Sequence, residues 1–600
     1  MQYLDSSHFI KRLWYCLSGY RRRQFVVLLG LMFVAALAEV VSLGAVMPFI
    51  AVLTAPDQIF SYKVVERVAS TFGINTPQGL ILPLTIFFAV TALIAGGIRM
   101  LLLWASARLS FSTGAELSIE AYRRTLYQRY EVHVSRNSSE VVSGIISKMG
   151  SAPAVINMML ILISASVLVL SIIIVLIMIN PFVAVLTAFC FGSCYLVISN
   201  LTRNRLKQNS KRIEQGSTNA LKSLQEGLGG IRDVLLDGSQ PIYCEIYAKA
   251  ERPLRLAQGN NLFIAGSPRF ALEAFGMVVI ALMAYFLSRT SEGVVSILPV
   301  LGALALGAQR LLPALQQIYA SWAGISGHKD SLIAVLDLLD QELPDTDYFD
   351  EAEVLDFEDD ITFNGVRYRY TDESPWVLNG LDLRIPKGSR VGIVGSTGSG
   401  KSTTMDLLMG LLEPTEGNVL VDGQPVNGEL QRSWQRSIAH VPQHVYLADA
   451  TLAENIAFGV PKELINMDRV RVVAEQAQIA GYIEDWPGGY DAMVGERGVR
   501  LSGGQRQRIG IARSLYKHAR VLVLDEATSA LDNETERGVI DAIDSLTGNL
   551  TIIMIAHRLT TVQGCDTIIQ LEDGRLVAQG SYNQLLESSP SFRKMVKAVA

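Results

Sequence analysis

Residues Gly395, Ser396, Thr397, Gly398, Ser399, Gly400, Lys401 and Ser402 form a glycine-punctuated run that ends in a lysine and a hydroxyl. An apolar segment, 390–394, precedes the run, and a helix-favouring segment opens at Thr403. That is the strand–loop–helix setting in which such a run wraps phosphate groups. The three glycines let backbone N–H groups face the phosphates, and the start of the helix adds partial positive charge. Lys401 is expected to reach the outer phosphates and Ser402 a Mg2+ ion. Further along, the buried-strand pattern Val521, Leu522, Val523, Leu524 ends in Asp525 and Glu526. Asp525 would complete the magnesium site, and Glu526 would act as general base toward an attacking water. A carboxylate here, rather than a neutral amide, argues for a site that turns over. The expected chemistry is hydrolysis of a nucleoside triphosphate.

The elements that must position this chemistry divide the 600 residues into unlike parts. Half of the chain is apolar and only 18% is charged, with a mean hydropathy of +0.29, too apolar for an ordinary soluble protein. The apolar residues concentrate in six runs, roughly 24–54, 79–108, 153–179, 181–201, 262–289 and 294–323, each long enough to span a bilayer. An even number returns the C-terminal part to the side on which the chain starts. The long polar loops 109–150 and 202–258 are rich in Arg and Lys, which puts them in the cytoplasm. Residues 6–20 mix Phe9, Ile10, Leu13, Trp14 and Leu17 with Lys11 and Arg12, and Arg21, Arg22 and Arg23 follow. They predict an amphipathic helix on the cytoplasmic face, within an N-terminal segment 1–23. The membrane domain then covers 24–327, an acidic linker 328–360, and a soluble α/β domain 361–600. A net charge of −5 argues against a polyanionic partner such as a nucleic acid. The five cysteines show no metal-ligand spacing, and Cys190 and Cys194, four apart in an apolar helix, suit buried small residues. The first apolar run lacks the cleavage site of a secretory signal.

Leu501, Ser502, Gly503, Gly504 and Gln505 stand between the glycine loop and Asp525, and His557 follows the apolar run 552–556. In this order the motifs resemble the ATPase domain of ABC transporters. The resemblance implies ATP and Mg2+ as ligands. It also implies an adenine-stacking role for Tyr370, contact of Thr403 with the nucleotide, and a place for Gln443 between magnesium and the membrane domain. Ser529 to Asp532 would link two ATP sites, and His557 would contact the γ-phosphate. Val494 to Gly498 resembles the segment that precedes the signature in exporters. Ser502, Gly503, Gly504 and Gln505 would close over ATP held by a second subunit. One membrane domain and one ATPase domain thus make half of a transporter, and two intact sites imply a homodimer; a related second chain remains open. The resemblance also puts short helices at the tips of the cytoplasmic loops, near 133–140 and 235–243.

The membrane half carries charge where charge is costly. Arg99, Arg269 and Arg310 fall in the second, fifth and sixth runs. At about 1.5 Å per residue all three lie in the inner-leaflet half, and each insertion costs at least about 2.5 kcal/mol. Guanidinium forks suit phosphate oxygens, although Glu273, four residues after Arg269, could simply neutralise it. The role of Glu39, midway along the first run, is open. Phe60, Val64, Val68 and Phe72 recur at fourfold spacing and predict an external amphipathic helix. At these residues the chain resembles bacterial flippases of polyprenyl-diphosphate-linked oligosaccharides. The resemblance implies a homodimer in the inner membrane, with six spans and a cytoplasmic ATPase. Its work would be to move a lipid-linked anionic glycan to the outer leaflet. Export of other lipids or hydrophobic drugs, and an ATP-gated role without transport, are the alternative readings.

Overall fold

A computed structural model describes residues 6–54, 60, 76–179, 181–288, 294–343, 354–526, 536, 538, 550–556 and 561–599. The chain forms two compact units, Met1–Gln128 with Ser135–Leu343, and Arg129–Val134 with Pro344–Ala600.

The first unit is helical. Helix α1 (Ser6–Cys16) leads into α2 (Gly19–Thr54), followed by α3 (Ile81–Leu126), the short α4 (Tyr130–Ser135) and α5 (Ser138–Ser143), and α6 (Met149–Ile179). Then come α7 (Pro181–Gly229), the short α8 (Ile231–Leu236), α9 (Gln240–Ser288), α10 (Val294–Gly327) and α11 (Lys329–Leu339). Among the described residues, three stretches are long and apolar enough to cross a membrane: Gly19–Val46, Pro77–Leu126 and Ser138–Met178. Many large apolar side chains of these helices point outward, with Leu93, Leu103 and Met178 strongly exposed. Water would penalise that surface, whereas lipid tails would not. One core joins Leu13, Met32, Leu109, Ile156 and Leu336, tying α1, α2, α3, α6 and α11 together. Close approach of α3 and α6 depends on Gly114, where an added Cβ would lie 2.2 Å from Pro153 Cγ.

Residues 329–339, expected to serve as linker, form α11 within this unit. Leu332, Val335, Leu336 and Leu339 recur at helical spacing and are buried, so the segment has a core face of its own. The external helix predicted around residues 56–73 lies outside the described residues except for Phe60, which packs against Val52 and Leu80.

The second unit is α/β. Strands β1 (Asp360–Tyr368), β2 (Leu378–Pro386), β4 (Glu416–Val421) and β5 (Gln424–Pro425) form an antiparallel sheet in the order β2-β1-β4-β5. Strands β3 (Arg390–Gly395), β6 (Ile438–Val441), β7 (Val521–Asp525), β8 (Thr551–Ile555), β9 (Thr567–Glu572) and β10 (Arg575–Gly580) form a second sheet in the order β10-β9-β3-β8-β7-β6. All neighbours in it are parallel except β9 and β10. Strand β7 shows how the sheet is covered: Leu522 and Leu524 enter one core, Val521 and Val523 the other. A strand buried on both faces needs an unbroken apolar run, which is what β7 and β8 have.

Candidate functional site

The glycine-rich loop leaves the carboxyl end of β3, in the middle of the parallel sheet, and enters α12 (Lys401–Leu408). Strands β7 and β8 end beside it, with Asp525 opposite Ile555. Ligands of open α/β sheets collect at such carboxyl ends. Two glycines of the loop are required by space and by conformation. A Cβ at Gly395 would lie 2.3 Å from the Leu571 carbonyl oxygen of β9. Gly400 has φ of +93° and a Cβ there would lie 2.6 Å from Leu378 Cδ2, so an L side chain is both strained and crowded. Ser396, Thr397, Gly398 and Ser402 are exposed, whereas Ser399, Lys401 and Thr403 are buried.

The charged groups converge. Lys401 Nζ donates to the carbonyls of Gly395 and Ser396, both at 2.9 Å. Burial pushes its ammonium below the usual lysine range, and Glu526 and Asp525 push it back up. Gln443 Nε2 donates to Glu526 Oε2 at 2.7 Å. Glu526 has φ of +51° and its N–H donates to the Ile555 carbonyl at 3.1 Å. A side chain held in the left-handed region is uncommon and concentrates at functional positions. Tyr370 is half exposed, with its hydroxyl 3.3 Å from Thr403 Oγ1 and its ring edge-on to Tyr368.

The signature residues occupy the start of α17, to number the helices between in order: α13 (Gly428–Arg436), α14 (Leu452–Ile456), α15 (Met467–Gln476), α16 (Ala480–Asp485) and α17 (Gly503–Tyr516). Ser502 caps α17: its hydroxyl accepts from Gln505 N and the Gln505 side chain accepts from Ser502 N. This capping box uses the N–H of Gln505 and leaves those of Gly503 and Gly504 without a partner inside the helix, an arrangement suited to an anion. Asp532, with its neighbours from Ser529, and His557 lie outside the described residues.

Sequence reading missed two participants. Asp406 follows Ser402 by one helical turn on α12, the one signal that could have marked it. Its carboxyl is pushed up to about 6, first by burial and then by the charge of Asp525. Residues 129–134, between α3 and α5, belong to this unit. There Arg129 Nη1 donates to Glu413 at 3.1 Å, and burial, with Asp406 and Tyr370 nearby, raises the Tyr130 hydroxyl.

The position of Asp406 has a measurable consequence. Its folded-state value lies above the ordinary 3.8, so the stability tied to its protonated form is complete below about pH 4 and is lost as pH rises through about 6. Replacing it by asparagine should raise the unfolding midpoint of the nucleotide-free protein at pH 8 by about 2–4 °C, roughly 1 kcal/mol after screening. At pH 4 the two proteins should melt together. An equal shift at both pH values in calorimetry would assign the effect to something other than the charge.

The cradle fits a polyphosphate. Among the described residues, Ser399 Oγ is buried without a hydrogen-bond partner, beside Gly395 and Gly400, which leave room for nothing larger than hydrogen. Ser402, Gln443 and Asp525 are oxygen donors of the kind Mg2+ takes.

In the first unit, Arg99 Nε lies 3.3 Å from Glu39 Oε2, joining α3 to the deeply buried Glu39 on α2. Arg269 Nε donates to Glu273 at 2.7 Å within α9. Each arginine keeps a side chain roughly half exposed. The side chain of Arg310, on α10, lies outside the described residues.

Comparison with known proteins agrees with this geometry. Residues 25–305 match the family model described as the ABC transporter transmembrane region, and residues 378–529 match that described as ABC transporter. The ATP-dependent lipid A-core flippase of Cupriavidus metallidurans is 44% identical over 228 residues, 38% of this chain and 38% of that protein. The chain thus spans about two fifths of that relative's length in the alignment. The protein of the same name from Chromohalobacter salexigens is 33% identical over 405 residues, 66% of this chain and 68% of that one. A solved structure of a bacterial Atm1-family ABC exporter with ATP bound superposes with a TM-score of 0.78 at 25% identity, covering 96% of this chain and 98% of that one. With a transmembrane region and an ATP-binding domain on one polypeptide, this chain belongs to the ABC transporter family, integral membrane proteins that couple ATP hydrolysis to transport, as an exporter-type half-transporter.

Proposed function

We propose that two copies of this chain use ATP hydrolysis to flip a lipid-linked, phosphate-bearing oligosaccharide from the inner to the outer leaflet of a bacterial inner membrane. The division proposed is an N-terminal helix at 1–23, a six-span membrane domain at 24–327, a connecting segment at 328–360 whose first part, α11, packs within the membrane unit, and a cytoplasmic ATPase domain at 361–600.

For the ATPase, Lys401 reaches the outer phosphates, and Tyr370 and Thr403 address the base and phosphate ends of the nucleotide. Ser402, Gln443 and Asp525 hold Mg2+, which neutralises charge on the phosphates when bound. Glu526 takes the proton of the attacking water, oriented by the Gln443 amide that bonds it. His557 and Asp532 complete the site, and Ser502, Gly503, Gly504 and Gln505 close over ATP bound to the second copy. The capped start of α17, with Ser502 exposed and Gly503 to Gln505 partly so, supports that reading.

The cargo reading rests on one observation: Arg99 and Arg269 stand half exposed on long helices of the membrane unit, paired with the carboxylates of Glu39 and Glu273 respectively. A phosphate or diphosphate can take the fork of a guanidinium from such a pair, since both anions bind bidentately. The lipid cargo in the names of two relatives supports the same reading. The test is ATP-driven flipping of defined polyprenyl-diphosphate glycans in proteoliposomes. Arg99→Ala, Arg269→Ala and Arg310→Ala should each slow flipping roughly tenfold, the loss of a charge-assisted hydrogen bond worth about 1.5 kcal/mol. ATP affinity should stay the same. Normal flipping by all three variants would remove the anion site, and transport of amphipathic cations instead would replace the cargo class.

A further inference from the structure

The arginines near the N-terminus, which charge distribution alone reads as a topology signal, make specific bonds. Arg22 donates to the carbonyls of Trp14 and Tyr15 at 3.0 and 2.9 Å, folding the end of α1 onto the start of α2. Arg21 donates to Glu116 of α3 through Nε and Nη2, at 2.9 and 2.6 Å. Arg12 crosses to α11: Nη2 meets Asp337 Oδ1 at 2.8 Å, and Nε and Nη2 meet Asp340 Oδ2 at 2.9 and 2.5 Å.

The same stretch is gripped from the end of α3 and the residues just after it. Arg124 Nη1 donates to the carbonyls of Leu339 and Gln341 at 2.5 and 3.0 Å, and Gln128 Nε2 to that of Glu342 at 2.9 Å. The last carbonyls of a helix lack partners within it and attract cations. Here α1 supplies one cation and α3 the other, on the final turn of α11, just before the first unit ends at Leu343. A lone exposed ion pair would do little. Arg12, however, is only 19% exposed and bridges two carboxylates. A half-open pocket of about 700 Å³ is lined by Cys16, Arg124, Leu339 and Asp340 at this junction.

We infer that Arg12 is a positioning residue for transport: through it the N-terminal helix clamps the segment by which the membrane unit passes the chain on, and the clamp keeps cargo movement in step with ATP hydrolysis. This rests on the ATP-driven transport reading above. It assigns α1 a task inside the protein as well as at the membrane surface.

The experiment uses the full chain in proteoliposomes, with Cys190, Cys194, Cys244 and Cys565 replaced by serine so that Cys16 alone reports. Two quantities are read: the maleimide labelling rate of Cys16, and transport per ATP hydrolysed. Arg12→Ala should speed labelling at least fivefold and cut transport per ATP at least threefold, while ATP turnover stays within twofold of the parent. Asp337→Asn with Asp340→Asn should reproduce both effects, and adding Arg12→Ala to that pair should change neither further. Arg12→Lys, which keeps the charge and loses the fork, should fall between. Unchanged labelling overturns the clamp. Faster labelling with unchanged transport per ATP, or turnover and transport falling in proportion, overturns the positioning role. Should the cargo reading be wrong, the parent protein itself will not move the glycan, yet Cys16 labelling still separates Arg12→Ala from it.

Discussion

Replacing Glu526 by glutamine is expected to cut ATP turnover by about a thousandfold, within the range of a lost general base, while nucleotide affinity changes little. The amide keeps the shape and the hydrogen bond to Gln443 but cannot take a proton. Geometry supports the assignment. Glu526 follows the last residue of β7 in a left-handed conformation, with φ of +51°. Its N–H is tied to the Ile555 carbonyl at the end of β8, and Gln443 holds its carboxylate at 2.7 Å. A group fixed by backbone on one side and by an amide on the other is oriented before substrate arrives, which is where catalytic advantage of this kind originates. A thousandfold loss corresponds to about 4 kcal/mol of barrier. Steady-state hydrolysis by the reconstituted variant decides the point. Turnover above about a tenth of the parent's would assign the base elsewhere. Binding lost together with turnover would make Glu526 a ligand-holding group instead.

The second large effect is on stability. Trp434, on α13, is fully buried, meets Phe357 edge to face at 5.7 Å, and donates from Nε1 to the Leu408 carbonyl at 2.7 Å. Leu408 is the last residue of α12, so this indole closes the far end of the helix that begins with Lys401. Gln431 and Gln435 add bonds of 2.6 Å to the Gly410 carbonyl from the same helix. Trp434→Ala should destabilise the ATPase half by about 3–5 kcal/mol through lost burial and the cavity left behind. In calorimetry that lowers its transition by roughly 10 °C. ATP affinity should fall with it, since α12 loses its anchor. Trp434→Phe keeps most of the volume and leaves the Leu408 carbonyl without its partner, so a smaller loss of about 1–3 kcal/mol is expected. If alanine and phenylalanine melt alike, the hydrogen bond dominates and the cavity argument fails.

Much of the site was readable without coordinates because its parts are local. The glycine loop, the strand before it and the helix after it are contiguous, so spacing alone places the loop at the carboxyl end of β3 and the start of α12. Ser502 and Gln505 are likewise one helical turn apart. Other features are not local. The bond from Gln443 to Glu526 joins β6's exit to β7's end, residues that meet only because those strands are neighbours in the sheet. The raised Asp406 carboxyl owes most to burial and then to the charge of Asp525, more than a hundred positions away and brought near by the same sheet. Nothing in the periodicity of α12 reports that charge. The acidic stretch from Asp337 shows the opposite error. Its charges suggested a linker, whereas the apolar positions of α11, spaced for one helix face, bury against the membrane unit and place Asp337 and Asp340 within reach of Arg12.

By itself the amino-acid sequence determined the reaction: a loop, a carboxylate pair and a signature of set residue types state the phosphate chemistry, because that chemistry is carried by short segments. It also determined the long apolar helices, since hydropathy is additive along a segment. Tertiary structure decided which charges act on one another. It put Gln443 on Glu526, Glu39 beside Arg99, and the two carboxylates of α11 on Arg12. The physical reason is range: an ion pair or hydrogen bond forms within a few ångströms, and over separations of tens to hundreds of residues only the packing of cores and the register of strands sets such distances.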